Sequence, residues 1–167
     1  MILKGCEMGC GADAIALAAI RSSRRLVTRS DALSNFRVSA KSDLLNLLAL
    51  YRKAEEEKFS YKWCRENFVS PQALQEVRKN IDDYTKRADK MGYKVKSTTH
   101  VPEKICEAVL SGLPDKLFVS EGSGYYRSLS TGERIQLGRE SSVRGELIAA
   151  SEVTTIQPPG KRAFTVI

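Results

Sequence analysis

The sequence predicts an α+β protein, in which an N-terminal helical bundle over residues 1–112 is followed by a small five-stranded β-barrel over residues 113–167. Two observations predict this division. Apolar residues recur at helical spacing as far as about Gly112, and after Pro114 they alternate with polar residues at the period of a strand. A chain of 167 residues is long enough for one large domain or two small ones, with a sizeable core in either case.

The first two predicted helices flank a basic connector. Residues 13–20 are rich in alanine and predict the end of a first helix, whereas residues 21–40 are polar and basic without a regular period. A loop that includes at most a helical turn is therefore predicted between them. Ser42 and Asp43 are residue types that cap helix N-termini, and apolar residues then repeat at helical spacing to about Glu57, which predicts a second helix.

Two more helices are predicted after an aromatic-rich connector over residues 59–68. Ser70 followed by Pro71 indicates a helix start, because serine accepts hydrogen bonds from the free amides and proline fits the first turn. The apolar stripe of this helix fades near Gly92, and the last helix begins at about Pro102.

Five short strands are predicted in the C-terminal part, over residues 117–120, 124–129, 134–137, 146–155 and 162–167. The sequence Ser-Thr-Gly-Glu at 130–133 contains the turn residues of a hairpin, and Gln-Pro-Pro-Gly at 157–160 predicts a second turn. Five short strands joined by turns are typical of a barrel of the oligonucleotide/oligosaccharide-binding (OB) type.

Positive charge is concentrated in the helical part. The formal net charge is +7, with 20 Lys and Arg against 14 Asp and Glu up to Glu107, but only seven against six from Ala108 onward. An excess of cations favours polyanionic partners, because each neutralised phosphate releases counterions. Charge alone leaves two interpretations open, nucleic-acid binding and simple solubility.

Motifs for catalysis are absent from the sequence. There is no GxxxxGKS/T loop to hold phosphates, no acidic magnesium motif, and a single histidine, His100, to serve as a general base. The Glu run at 55–57 is more typical of a solvated helix face than of a catalytic pair. We therefore predict that this chain is not an enzyme alone and holds no cofactor.

The four cysteines and the N-terminus carry no targeting or metal signal. The thiols lack the repeated close pairs of a zinc site, which predicts buried reduced thiols in a cytoplasmic protein; they are Cys6, Cys10, Cys64 and Cys106. No stretch of 18 apolar residues predicts a membrane span, and acidic residues interrupt the apolar residues 1–20, which argues against a signal peptide.

Three segments resemble a known family in composition and order. Residues 1–10 end in Gly-Cys before the Ala-rich helix, and the Ser-Asp-Leu-Leu start at 42–45 leads to Trp-Cys-Arg-Glu-Asn-Phe at 63–68. Residues 122–153 contain an aromatic-led strand, a Thr-Gly hairpin and a Ser-Ser pair. Together they are similar to the C-terminal region of DEAH-box ATP-dependent RNA helicases, a ratchet-like helical domain followed by an OB-fold. The chain departs from that pattern in lacking a histidine in the helix start at 42–45 and a His-Pro before the Ser-Ser pair.

The resemblance implies a non-catalytic accessory region of an ATP-dependent RNA or DNA helicase. ATP and Mg²⁺ would belong to motor domains that this chain lacks, so it is either a fragment or a stand-alone relative. Expected partners are single-stranded RNA or DNA and the motor domains in cis, with a cytoplasmic location, or a nuclear one in a eukaryote. The alternative is a protein-docking module whose near-neutral barrel receives a helicase activator.

Candidate nucleic-acid-binding residues lie in the basic connector and in a loop of the barrel, where glycines let backbone approach a phosphate; they are Arg24, Arg25, Arg29, Arg139, Ser141, Ser142 and Arg144. The aromatic residues of the second connector can stack on bases, but packing between helices is the favoured interpretation; they are Phe59, Tyr61, Trp63 and Phe68. Tyr125 and Tyr126 are expected to point to opposite faces of a strand, one into the core and one outward.

Overall fold

The computed structural model describes residues 1–96, 100–138, 141–150, 154–156 and 164–166. The helices are α1 (Ile2–Glu7), α2 (Gly11–Arg21), a 3₁₀ helix (Ser30–Phe36), α3 (Asp43–Glu56), α4 (Tyr61–Glu66), α5 (Pro71–Lys90) and α6 (Pro102–Leu110). The strands are β1 (Leu117–Gly122), β2 (Tyr125–Ser128), β3 (Arg134–Gln136), β4 (Leu147–Ala149), β5 (Thr154–Ile156) and β6 (Phe164–Val166). The predicted α+β class is confirmed. No described helix is long and apolar enough to cross a membrane.

Helices α3 and α5 begin where the local capping signals place them. Ser42 Oγ accepts a hydrogen bond from Leu45 N at 3.3 Å, and Ser70 Oγ accepts one from Ala73 N at 3.2 Å. Each bond satisfies one of the amides that a helix N-terminus leaves without an intrahelical partner. The aromatic connector differs from the prediction, because it contains the short helix α4.

Helix α2 is the centre of the helical part. It contacts α1, α3, α5 and α6, and it is buried on nearly all sides because alanine dominates its sequence and lets neighbours approach closely. The approach of α1 depends on Gly5, where an added Cβ would lie 2.4 Å from the Cβ of Ala14. A larger side chain at this position would separate the two helices.

The strands form an open sheet in the order β4-β1-β2-β3-β6-β5. The first four strands pair antiparallel, β3 meets β6 in parallel, and β6 pairs antiparallel with β5. One face buries a small core of Phe118, Tyr126, Ile135, Ile148 and Ala150. Within the described residues no pairing joins β4 to β5.

The C-terminal strands differ in detail from the expectation. The predicted strand over 146–155 corresponds to two shorter strands, β4 and β5. Residues 151–153, and the turn predicted at 157–160, lie outside the described residues. The change from helix to strand falls between Leu110 and Leu117, and the division into two domains at residue 112 stays a prediction.

Candidate nucleic-acid interface

The chain between α2 and α3, residues 21–41, is here called the basic segment. It carries six Lys and Arg and a single carboxylate, Asp31, and all six cations are exposed; they are Arg21, Arg24, Arg25, Arg29, Arg37 and Lys41. Exposed cations on neighbouring positions of one segment raise the local concentration of anions. This segment is therefore the first candidate for phosphate contacts.

The basic segment is fixed to the start of α5 by backbone hydrogen bonds. Val27 and Val69 form an isolated antiparallel bridge. On either side of it, Thr28 N donates to Phe68 O at 2.8 Å, and Ser70 N donates to Leu26 O at 2.8 Å. Because Leu26 and Val27 are buried in the helical core, the basic residues beside them are presented from an anchored loop.

Two of the predicted site residues form ion pairs on this surface. Arg24 donates through Nε to Glu76 Oε2 at 3.0 Å, and Arg29 donates through Nη2 to Asp31 Oδ2 at 2.6 Å. The hydrogen bonds from Arg24 lower the pKa of the Glu76 carboxyl, and those from Arg29 lower the pKa of Asp31. Both ion pairs are exposed, so an approaching phosphate competes with each carboxylate in water.

An exposed aromatic ring lies beside these cations. The Arg29 guanidinium lies 4.6 Å from the centre of the Phe68 ring, and Phe68 is 42% exposed. The backbone of Phe68 has φ of +55°, which non-glycine residues seldom adopt. A planar cation above an exposed ring is an arrangement suited to stacking with a base as well as to binding a phosphate.

The other aromatic residues of the connector divide between packing and exposure. Trp63 packs against Phe36 with ring centres 5.8 Å apart, and Phe59 lies 5.8 Å from Tyr51. Packing, the favoured interpretation, is confirmed for Trp63 and Phe59. Tyr61 is 71% exposed and contributes to the surface instead.

The loop before β4, described over residues 141–146, meets the N-terminus of α3. Ser141 Oγ donates to Asp43 Oδ2 at 2.5 Å, while Ser142 donates to Asp43 Oδ1 through its backbone N at 2.9 Å and its Oγ at 2.6 Å. Both predicted serines are half-buried and bound to an internal carboxylate. Arg144 is exposed, with its Nη1 donating to Ser141 O at 3.0 Å, and Arg139 lies outside the described residues.

Asn46 is the residue of this region that the sequence did not single out. It is 2% exposed and binds both the end of the basic segment and Ser142 Oγ, the latter at 3.2 Å. The available signal was a lone amide within the apolar run at 44–48 of α3. A buried polar side chain on an apolar helix face requires internal partners, and here they come from two distant segments.

On the sheet, two described arginines share one carboxylate. Arg127 and Arg134 both donate to Glu121, at 2.6 and 3.0 Å, and Arg134 also lies 4.1 Å from the centre of the Tyr125 ring. Tyr126 is buried and donates to Gly145 O at 3.0 Å, so the prediction that the two tyrosines face opposite ways is confirmed. One carboxylate thus offsets two arginines on this face.

A second polar cluster lies at the first turn of α2, away from the predicted site. The buried Asp13 carboxylate is paired with Arg52 of α3, and His100 Nδ1 lies 3.0 Å from Asp13 Oδ2. In the described part of the chain, no group of three or more His, Cys, Asp or Glu side chains is placed to hold a metal ion. All four cysteines are free thiols, and burial raises the pKa of each.

No protein-family model matches this sequence.

Proposed function

We propose that this chain is the non-catalytic accessory region of an ATP-dependent RNA or DNA helicase, and that it holds the single strand while separate motor domains hydrolyse ATP. The observation that carries the proposal is the basic segment. Residues 21–41 contain six exposed cations and one carboxylate, Asp31, which gives the segment a formal charge of +5. Such an excess on an anchored loop favours a phosphate backbone.

The proposed architecture is a ratchet-like helical bundle followed by an OB barrel. The strand order supports the barrel, because β4 and β5 stand at opposite ends of the sheet although only residues 150–153 separate them in sequence. A closed barrel gives every strand two neighbours, and in the observed order β4 and β5 have one neighbour each.

The proposed contacts come from arginines of both parts. Arg24, Arg25 and Arg29 supply the basic segment, with the Phe68 ring available to stack on a base. In the loop before β4, Arg144 is exposed, and Arg139 remains a candidate from the sequence. Ser141 and Ser142 are engaged with Asp43, so in this proposal they fix the loop and leave the phosphates to the arginines.

A salt titration of single-stranded RNA binding tests the proposal. The logarithm of affinity is expected to fall linearly with the logarithm of salt concentration, by about 0.7 units for each phosphate neutralised. Replacing Arg24, Arg25 and Arg29 together by alanine should reduce that slope by about two units. The same titration with single-stranded DNA of identical sequence tells whether the 2′-hydroxyls contribute.

The matched control is the double variant Arg127→Ala/Arg134→Ala, which removes cations that Glu121 already offsets. Its salt slope should equal that of the wild type. If both variants reduce the salt slope of RNA binding by the same amount for each arginine removed, net charge alone explains the binding, and a specific site for the RNA strand is contradicted. No binding at low salt by a folded wild-type chain would refute the proposal for this chain.

A second candidate function is protein docking on the outer face of the sheet. Val119 and Leu147 are cross-strand neighbours that are 37% and 59% exposed, and Leu129, 59% exposed, follows β2 beside them. An apolar patch on a near-neutral surface suits a helicase activator better than a phosphate backbone. Leu147→Ser should leave RNA binding unchanged, because its surface is separate from the basic segment.

A further inference from the structure

Asn46 joins the basic segment to the loop before β4 through a complete set of hydrogen bonds. Its Oδ1 accepts from Val38 N and from Ser39 N, both at 2.9 Å. Its Nδ2 donates to Ser39 O at 2.9 Å and to Ser142 Oγ at 3.2 Å. A primary amide has two donor and two acceptor positions, and all four are used here.

Asp43, one turn earlier on α3, holds the same loop from the other side. Its carboxylate accepts from both serine hydroxyls and from the Ser142 amide, and Ser142 Oγ also lies 3.4 Å from Ser39 O. We call this cluster the junction; it comprises Ser39, Asp43, Asn46, Ser141 and Ser142. It ties two segments that are about a hundred residues apart in sequence.

Three exposed cations surround the junction. Arg37 and Lys41 lie two residues before and after Ser39, and Arg144 lies two residues after Ser142. Because a residue spans at most about 3.3–3.6 Å, each of their Cα atoms lies within about 7 Å of a junction residue. In the part of the chain that the structure describes, no salt bridge joins these three to a carboxylate.

The Asp43 carboxylate accepts three hydrogen bonds from the two serines, and among the described residues no salt bridge joins it to these cations. All three cations are exposed, and Arg144 also donates through Nη1 to Ser141 O at 3.0 Å and to Val143 O at 2.6 Å. A phosphodiester backbone that runs across the junction meets positive charge from the helical part first and from the sheet part next.

We propose that the basic segment and the loop before β4 form one continuous phosphate-binding surface, with Arg37, Lys41 and Arg144 as contacts and Asn46 as the positioning residue that holds them in register. The ligand is the backbone of a single nucleic-acid strand, which rests on the function proposed above. Ser141 and Ser142 act through the junction, because their hydroxyls are committed to Asp43 and Asn46.

The test measures the salt dependence of binding for single and double variants of the full 167-residue chain. The probe is a fluorescein-labelled 20-nucleotide oligouridylate. Arg37→Ala and Arg144→Ala are each expected to reduce the salt slope by about 0.7 units. Ser142→Ala removes one hydroxyl from the junction and should free the loop. In that background Arg144→Ala should change the slope by less than about 0.3 units, whereas Arg37→Ala keeps its full effect.

Two variants separate positioning from general damage. Ser142→Thr retains the hydroxyl and should restore the Arg144 contribution. Ser130→Ala removes a hydroxyl that donates to Asp115 O at 2.8 Å elsewhere on the sheet, and it should leave the Arg144 contribution intact. Asn46→Ala removes the hydrogen bonds to Val38 and Ser39 as well as the one to Ser142, so it should reduce the contributions of both Arg37 and Arg144. If that chain fails to fold by circular dichroism, the Ser142 variants carry the test of the loop.

The results distinguish this inference from the proposed function. If the wild-type chain binds the probe, but Arg144→Ala reduces the salt slope equally with and without the Ser142 hydroxyl, the continuous surface is overturned and the proposed function stands. Unchanged slopes for both Arg37→Ala and Arg144→Ala also overturn the continuous surface, while leaving Arg24, Arg25 and Arg29 as contacts. A folded wild-type chain that does not bind overturns both.

Discussion

Removing the Asp43 carboxylate is expected to loosen the sheet from the helices. Asp43 accepts three hydrogen bonds from Ser141 and Ser142, at 2.5, 2.6 and 2.9 Å, which are shorter than the 3.2 Å hydrogen bond from Asn46 to Ser142. In Asp43→Ala all three donors lose their acceptor. Since the helical core and the sheet core are separate clusters of buried residues, the strands should lose more stability than the helices.

The magnitude follows from the charge and the half-buried position of the acceptor. A hydrogen bond to a charged group contributes about 1.5–3 kcal/mol when buried, and at a half-buried site, where water can replace the lost acceptor, we expect about 1 kcal/mol for each of the three. The expected total loss is therefore about 2–3 kcal/mol. Part of it comes from removing an acidic residue at the start of α3, where it interacts with the helix dipole and contributes about 0.3–1 kcal/mol.

A double-mutant cycle removes the dipole contribution. The Ser142→Ala variant keeps the acidic residue but deletes one donor, so the coupling between Asp43→Ala and Ser142→Ala isolates the contact. We expect a coupling free energy of about 1–2 kcal/mol. Asp31→Ala is the matched control, since it removes an exposed carboxylate in a different part of the chain, whose ion pair contributes at most about 1 kcal/mol; no coupling with Ser142→Ala is expected.

Two probes follow the two parts of the fold during urea unfolding. Trp63, the single tryptophan, reports on the helices by fluorescence, because its ring packs against Phe36. Amide hydrogen exchange of β1 to β3 reports on the sheet. In Asp43→Ala the sheet amides should lose protection at a lower urea concentration than the Trp63 transition. Coincident transitions with a coupling free energy below about 0.5 kcal/mol would refute the reasoning.

Three further predictions concern packing, acid stability and thiol reactivity. Gly5→Ala should destabilise the chain by about 1–3 kcal/mol in thermal melts, because the new Cβ would lie 2.4 Å from that of Ala14; an unchanged melting temperature would contradict the close helix approach. Since the hydrogen bonds from Arg24 lower the pKa of Glu76, that pair stabilises the fold above the unfolded pKa and its contribution is lost as pH falls through the folded one. Glu76→Gln should therefore lower the melting temperature at neutral pH and leave it unchanged at strongly acidic pH. Burial raises the pKa of the Cys64 thiol above its ordinary value of 9.0, so iodoacetamide should modify it more slowly in the folded chain than in urea, as measured by mass spectrometry.

The parts of the fold that sequence predicted well depend on local chemistry. The starts of α3 and α5 are fixed by Ser42 and Ser70, whose hydroxyls bind amides three residues away. The α+β class likewise follows from a change of period that is visible within short windows. The single predicted strand over 146–155 contains β4 and β5 at its two ends, and residues 151–153 between them lie outside the described residues.

The candidate site divides in the same way. Arg24, Arg25 and Arg29 are exposed, as their place in a polar connector suggests. The partners of Ser141 and Ser142 lie 98 and 99 residues away on α3, and no local pattern encodes that pairing. The sequence thus identifies which polar and charged residues are candidates, while the tertiary structure determines which of them already bind another side chain of the protein.

The distribution of carboxylates argues that strand binding and protein docking use different surfaces. On the sheet, Glu121 offsets both Arg127 and Arg134, and the exposed face beside them is apolar at Val119 and Leu147. Around the junction, the carboxylate of Asp43 instead accepts three hydrogen bonds from the two serines, and among the described residues no salt bridge joins it to Arg37, Lys41 or Arg144. A phosphate backbone gains more from the second environment, because there it displaces water and counterions without breaking an ion pair. The double variant Arg37→Ala/Arg144→Ala should therefore weaken RNA binding and leave protein docking on the apolar sheet face unchanged. Leu147→Ser should weaken protein docking and leave RNA binding unchanged. If each variant affects both surfaces alike, they form one site and the separation argued from the carboxylates is wrong.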